Sequence, residues 1–250
     1  MRPEVTLPLV GLRNECGRLV DALNKREPLL LLGPRGCGKT TVLRSAILAS
    51  SLRDEVIYIR YSSGLHEFLG SLAFALVQGG HRYIQRALKN NPDSKKWLAQ
   101  QTSVHLRGLL WNALETEPRT IVLDGVNGAS NPMFRFVQRL YFAPGVTMYA
   151  AARDSVALGA LSRLFWHPQK VIHFKPLSHG EAVELFDVAA DAYRLRELDI
   201  GEFRGKVLDS AQGNPGQIVE MCRLAADPQY VTGRYIKFAP LRIDAMMKFL

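Results

Sequence analysis

Residues 29–40 read Leu-Leu-Leu-Leu-Gly-Pro-Arg-Gly-Cys-Gly-Lys-Thr. An apolar run stops in a glycine-rich turn and ends in Gly-Lys-Thr, the spacing G-x-x-x-x-G-K-[ST] of a phosphate-binding loop. Each residue type has a physical task there. Glycine lets successive backbone N–H groups turn inward toward an anion. A helix that starts at Lys39 brings the positive end of its dipole to the same spot. Lys39 supplies a point charge for the β- and γ-phosphates, and the Thr40 hydroxyl reaches toward a Mg²⁺ ion. Gly33, Pro34, Arg35, Gly36, Cys37 and Gly38, with Lys39, Thr40 and Thr41, make up the candidate nucleotide cradle. The competing reading is an ordinary strand–turn–helix. The flanks favour the cradle: four leucines precede it, and Val42, Leu43, Ala46 and Ile47 share one helical face after it.

The same alternation continues along the chain. Strands are predicted at Pro28–Leu32, Val56–Arg60, Thr120–Asp124, Val146–Ala152 and Lys170–Phe174. Helices are predicted over roughly 13–25 and 39–51. Others carry Leu65 to Leu76, Leu106 to Ala113 and, started by Asn131-Pro132, Phe134 to Tyr141. The stretch from His81 to about Lys96 is polar and basic. Strands alternating with helices predict an α/β fold with a mostly parallel five-stranded sheet flanked by helices. After Pro176 only helices are read. Ser178-His-Gly-Glu181 forms a capping box, a second helix runs to Gly213, and a third starts at Asn214-Pro215. This predicts a small C-terminal all-α domain. Tyr230–Leu250 is basic and apolar with no confident element. The expected division is 1–175 for the sheet domain, 176–229 for the helical domain and 230–250 for a tail.

A phosphate loop needs a carboxylate for its metal. Asp124 ends the apolar strand Ile121-Val122-Leu123, at the sheet edge where the loop also emerges. Its ordinary alternative is to cap a turn. Arg153 follows the fourth strand at that edge. It is a candidate to sense the γ-phosphate and stabilise developing charge, or else an ion-pair partner of Asp154 or Asp124. Position 125 is glycine, and no carboxylate follows until Asp154. Asn127 can hydrogen-bond a water but is no base. Turnover is therefore expected to be slow, or to borrow a water-positioning group from elsewhere.

Together these residues resemble the AAA+/STAND group of P-loop ATPases, over nearly the whole chain. Leu9-Val10-Gly11-Leu12-Arg13-Asn14-Glu15 looks like the hhGRxxE segment that lies against adenine in that group, with Leu12 inserted before Arg13. Phe174 to Ala182 resembles the entry to the helical lid. Gly213-Asn214-Pro215 looks like the STAND GxP motif, whose proline packs near the base. Many members place glutamate where this chain has Gly125. The resemblance implies a sheet order 5-1-4-3-2, ATP/ADP with Mg²⁺ as cofactors, and a lid that moves with nucleotide state. Val10, Gly11, Arg13 and Pro215 join the nucleotide contacts on this ground. ATP rather than GTP rests on it too, no guanine-reading [NT]-K-x-D being present.

The chain has 250 residues, 47% hydrophobic and 22% charged, with a net charge of +9. That is globular composition with room for a full core. No apolar stretch is long enough for a membrane helix, and no signal-peptide core opens the chain. Cys16, Cys37 and Cys222 are few, odd in number and scattered, which argues against disulfides and for a cytoplasmic location. The basic excess favours polyanion partners. Arg82, Arg86, Lys89, Lys95, Lys96 and Arg107 face one acid, Asp93, with Tyr83 and Trp97 interleaved. They form either a nucleic-acid surface with stacking aromatics or a solvated face with both rings turned inward. A weaker cluster is Arg223, Arg234, Lys237, Arg242 and Lys248, beside Met246, Met247, Phe249 and Leu250, which could pack on a partner chain. Three functions stay open: an ATP switch that controls self-assembly or a partner protein with slow hydrolysis, a nucleic-acid-binding ATPase, and a non-hydrolysing scaffold.

Overall fold

The structure, a computed structural model, describes residues 7–88, 93–165 and 167–249. Lys89 and Leu250 lie outside the described residues. The elements run α1 (Arg13–Asn24), β1 (Leu29–Leu32), α2 (Lys39–Ala49), β2 (Val56–Arg60), α3 (Leu65–Gln78), α4 (Arg82–Leu88), α5 (Ser94–Gln100), α6 (Ser103–Thr116), β3 (Thr120–Val126), α7 (Asn131–Tyr141), β4 (Thr147–Ala152), α8 (Ser155–Leu158), β5 (Val171–His173), α9 (His179–Ala192), α10 (Ile200–Ala211), α11 (Pro215–Ala225), β6 (Val231–Thr232), β7 (Tyr235–Ile236) and α12 (Phe238–Met247).

Packing divides the chain into two compact units. One holds Cys16–Gly33 and Leu43–His173; the other holds Met1–Glu15, Pro34–Val42 and Phe174–Leu250. The N-terminal residues and most of the phosphate loop thus group with the C-terminal helices, not with the sheet. This differs from a division by sequence position at residue 175.

The first unit is built on a five-stranded sheet in the order β2-β3-β4-β1-β5. Every pairing is parallel. The order is the expected 5-1-4-3-2 read from the other edge. β4 is buried along its whole length, and β1 nearly so, because parallel strands covered on both faces read as continuous apolar runs. Alternate residues go to opposite faces. Leu30, Ile57, Ile59, Ile121, Leu123, Met148 and Ala150 share one core with Phe68, Leu69 and Leu72 of α3, Leu106 and Leu110 of α6, and Phe136 and Val137 of α7. Each fully buried leucine here contributes about 1.5–3 kcal/mol. On the opposite face the fully buried Tyr149 donates its phenol to the Ala22 carbonyl of α1 at 2.8 Å.

Two short helices, α4 and α5, occupy the stretch that reads only as polar and basic. Each is seven residues long. Ile84, Leu88 and Leu98 are their buried anchors, too few to show a helical period. Asp93 caps α5 by accepting from the Lys96 N–H at 2.9 Å. Ser130, not Asn131, stands at the N-cap of α7, with Asn131 and Pro132 in its first turn.

In the second unit α9 begins at the expected capping box, Ser178 with Glu181, and Asn214 caps α11 by accepting from the Gln217 N–H. Its core gathers Leu185, Phe186, Phe203, Val207, Ile218 and Met221 with Val10 from the N-terminal segment. The unit is helical apart from one addition. Residues 231–236 form a two-stranded antiparallel hairpin, and α12 follows it, so 230–249 is ordered structure packed through Tyr230, Ile236, Leu241 and Ala245. The strands are two residues each, below the length at which alternation can be read.

Glu220 of α11 is 6% exposed. It accepts from Arg223 at 2.7 Å and from Lys248 at 2.7 Å. Burial pushes its carboxyl up, but the bonds from Arg223 and Lys248 outweigh burial and hold it below the ordinary value of 4.5. A lowered folded-state value means the contribution is present above 4.5 and is lost as pH falls through the folded value. Glu220→Gln is expected to cost about 1–2 kcal/mol at neutral pH, less than a fully buried pair because both cations are half in water. Thermal melts of both proteins at pH 7 and pH 3.5 check this: the gap closes on the acid side.

Candidate nucleotide-binding site

Because β1, β3 and β4 run parallel, their carboxyl ends share one edge of the sheet. Gly33 leaves β1 there, its N–H donating to the Ala152 carbonyl at the end of β4. Asp124 pairs in register with Ala151 of β4 and Arg60 of β2. Arg153 follows β4 directly. Topology therefore delivers the start of the loop, the carboxylate and the arginine to one edge.

The loop has the shape its glycines predict. Gly36 and Gly38 have φ of +79° and +97°, where a side chain is strained. Space excludes one as well. A Cβ on Gly38 would stand 2.4 Å from Leu12 Cδ1, and one on Gly36 would stand 2.5 Å from Asn214 Oδ1. The Lys39 ammonium donates to the Pro34 carbonyl at 2.9 Å, so it lies over the loop, and α2 begins at this residue. A turn of backbone with two glycines at positive φ, a helix N-terminus, an ammonium and the adjacent Thr40 hydroxyl are groups that a Mg²⁺–triphosphate requires. The residues present fit that group.

The second unit brings most of the predicted nucleotide contacts together. Pro34, Arg35, Gly36, Cys37, Gly38, Lys39, Thr40 and Thr41 lie there with Val10, Gly11, Arg13 and Pro215. Val10 is packed in that unit's core. Gly11 approaches Leu177 and Glu181 so closely that a Cβ would stand 2.5 Å from the leucine. Arg13 is exposed at the start of α1. Pro215 is buried in the first turn of α11. Contacts that the sequence does not announce tie this helix to the loop. Asn214 Nδ2 donates to the Arg35 carbonyl at 2.8 Å, and the Gly216 N–H donates to the Gly36 carbonyl at 2.8 Å. The Phe249 ring lies against both Gly36 and Gly216.

Asp124, Asn127 and Arg153 belong to the first unit. Asp124 is 6% exposed and accepts from the Tyr58 phenol at 2.5 Å. Burial first, and the Asp124 carboxylate second, push that phenol up to about 12, so it keeps its proton at neutral pH and donates a hydrogen bond. Asn127 is exposed on the loop after β3. Tyr61 anchors that loop through the Gly128 carbonyl at 2.5 Å. Arg153 pairs with Asp154 at 3.1 Å and is 65% exposed, which is its ion-pair alternative. Gly125 has φ of +77° where the ladder to β4 shifts register between Asp124 and Val126. A β-bulge with a left-handed glycine strains any side chain placed there, glutamate included.

The Cys37 thiol, just before the N-terminus of α2, is 3% exposed. Burial raises it and outweighs the lowering effect of Lys39. It is a small buried filler of the loop. The interleaved aromatics of the basic segment also turn inward. Tyr83 and Trp97 pack against the core, whereas Arg82, Arg86, Lys95 and Lys96 are exposed.

The family described as AAA domain matches residues 23–152. Cytoplasmic dynein heavy chain of Saccharomyces cerevisiae is 27% identical over 156 residues, covering 53% of this chain and 4% of that protein. The chain thus spans a small fraction of that relative. Among solved structures, a Walker-type ATPase of Pyrococcus abyssi is similar with a TM-score of 0.54 and 16% identity, over 86% of this chain and 67% of its own. A STAND protein (signal transduction ATPase with numerous domains) with a tetratricopeptide repeat sensor, from Pyrococcus horikoshii, is similar with a TM-score of 0.50 and 13% identity, over 99% of this chain and 33% of its own. At these identities the structural likeness speaks for the fold. No described helix is long and apolar enough to cross a membrane.

Proposed function

The chain belongs to the AAA domain family of P-loop ATPases, and from that premise we propose that it is an ATP-binding switch with slow Mg²⁺-dependent hydrolysis. Its nucleotide state controls self-assembly or the binding of a partner protein. In this reading Gly33–Thr41 hold the triphosphate, Lys39 neutralises the β- and γ-phosphates, and Thr40 and Asp124 hold Mg²⁺. Mg²⁺ would supply charge neutralisation on the phosphates. Arg153 exchanges its Asp154 partner for the γ-phosphate, and Asn127 orients water without acting as a base. Residues 176–229 serve as the lid, with 230–249 packed on it.

The observation that carries the switch is the pair of hydrogen bonds from Asn214 and Gly216 to the carbonyls of Arg35 and Gly36. The helix that would report the nucleotide is bonded to the backbone that would hold it. A triphosphate drawn to the loop's N–H groups then interacts differently with conformations that keep or break those bonds. Only such differential affinity can shift a population. Light scattering with X-ray scattering tests this in three states: without nucleotide, with ADP and with ATPγS. A mass or profile that changes between ADP and ATPγS supports the switch; identical masses and profiles in all three states contradict it.

A second reading, a nucleic-acid-binding ATPase, is favoured by Arg82, Arg86, Lys95 and Lys96, all exposed on α4 and α5. With the aromatics turned inward it is a phosphate-contact surface, not a base-stacking one. Salt-dependent binding of labelled DNA that is lost on reversing those four charges would favour it over the protein-partner reading.

A further inference from the structure

We propose that Tyr58 is a positioning residue for the metal at this site, acting through Asp124; the inference rests on the ATP reading above. It starts from the sheet register. Arg60 of β2 pairs with Asp124 of β3, and Tyr58 pairs with Val122. Residues 58, 60, 122 and 124 therefore point to one face, and Tyr58 is the diagonal cross-strand neighbour of Asp124. A tyrosine is long enough to cover that diagonal, and its Oη meets Asp124 Oδ2 at 2.5 Å.

A carboxylate as buried as Asp124 is costly unless it is hydrogen-bonded. The phenol answers that cost and does a second thing: a bond donated to a carboxylate is directional and fixes the rotation of the carboxyl plane. The donor is itself held. The Arg44 guanidinium of α2 lies 6.0 Å from the centre of the Tyr58 ring, and Arg44 is one helical turn beyond Thr40, on the same face of the helix. The Asp124 carboxylate is thus backed, from its neighbouring strand, by an aromatic–cation pair. Such outer partners of metal ligands set metal affinity without touching the metal. Tyr61, three residues on, has a phenol that bonds the Gly128 carbonyl instead, which makes it an internal control.

The test compares wild type, Tyr58→Phe and Tyr61→Phe, all checked by thermal melting, in ATPγS titrations at graded Mg²⁺ and in EDTA. For Tyr58→Phe the Mg²⁺ concentration that gives half of the metal-dependent gain in affinity is expected to rise at least about tenfold. Its affinity in EDTA and the whole Tyr61→Phe curve stay at wild-type values. A Tyr58→Phe curve that overlays wild type overturns the role of Tyr58 while leaving the ATP reading intact, as does an equal shift in Tyr61→Phe. Wild-type protein that binds no ATPγS at any Mg²⁺ concentration overturns the ATP reading, and this inference with it.

Discussion

Lys39→Ala is expected to weaken ATP binding by roughly 100- to 10,000-fold, because two charge-assisted bonds to phosphate oxygens, each about 1.5–3 kcal/mol, are lost together. The fold has little stake in this side chain. Its bonds to the Pro34 carbonyl at 2.9 Å and to the Cys37 sulfur at 3.5 Å lie within the loop itself, and α2 is held by the buried Val42, Leu43 and Ala46. The melting temperature without nucleotide should therefore match wild type, and the upward shift that ATP produces in wild type should vanish. Differential scanning fluorimetry with graded ATP reads both quantities in one experiment. A variant that keeps the wild-type shift would place the triphosphate elsewhere in the molecule.

Asp124→Asn separates holding from hydrolysing. The amide is isosteric and its carbonyl oxygen can still accept from Tyr58, so β2 and β3 remain joined as they are at 2.5 Å in the native pair. What disappears is the negative charge that the proposed magnesium role of this position requires. Phosphate release should fall by about 100- to 1000-fold, the usual scale for removing one electrostatic contributor from a transition state. Affinity for ATP in EDTA should not change. Loss of both together would mean that the aspartate matters to the architecture of the site and not to its metal.

The parts of this design legible in the chain are those written over short spans. Four leucines running into Gly33 place β1 and the loop. Ser178 and Glu181 announce α9 three residues apart, and Asn214-Pro215 announces α11. The sheet order followed from resemblance, not from periodicity, since hydrophobic alternation does not say which strand lies beside which. Long-range partnerships were hidden for the same reason. Tyr58 reads as one more aromatic in a strand until register sets it diagonally across from Asp124, and a one-residue slip would send it to the other face. Nothing near Asn214 or Gly216 signals that their partners are the carbonyls of Arg35 and Gly36, nearly 180 residues away. The helices α4 and α5 and the hairpin at 231–236 were illegible because each is too short to complete a pattern. Gly125 shows the opposite case. Its identity in the sequence suggested a missing base, and the bulge explains why the backbone there takes glycine.

The bulge at Gly125, the pairing of Arg153 with Asp154 and the bonds from α11 to the loop support one claim: this site is built to hold ATP and report it more than to consume it. Multiple-turnover phosphate release with saturating ATP and Mg²⁺ tests that most directly. The account predicts turnover below about 0.1 per second, two orders of magnitude under the roughly 10 per second typical of enzymes, and its disappearance in Asp124→Asn. Turnover near 10 per second by the wild-type chain alone would contradict it.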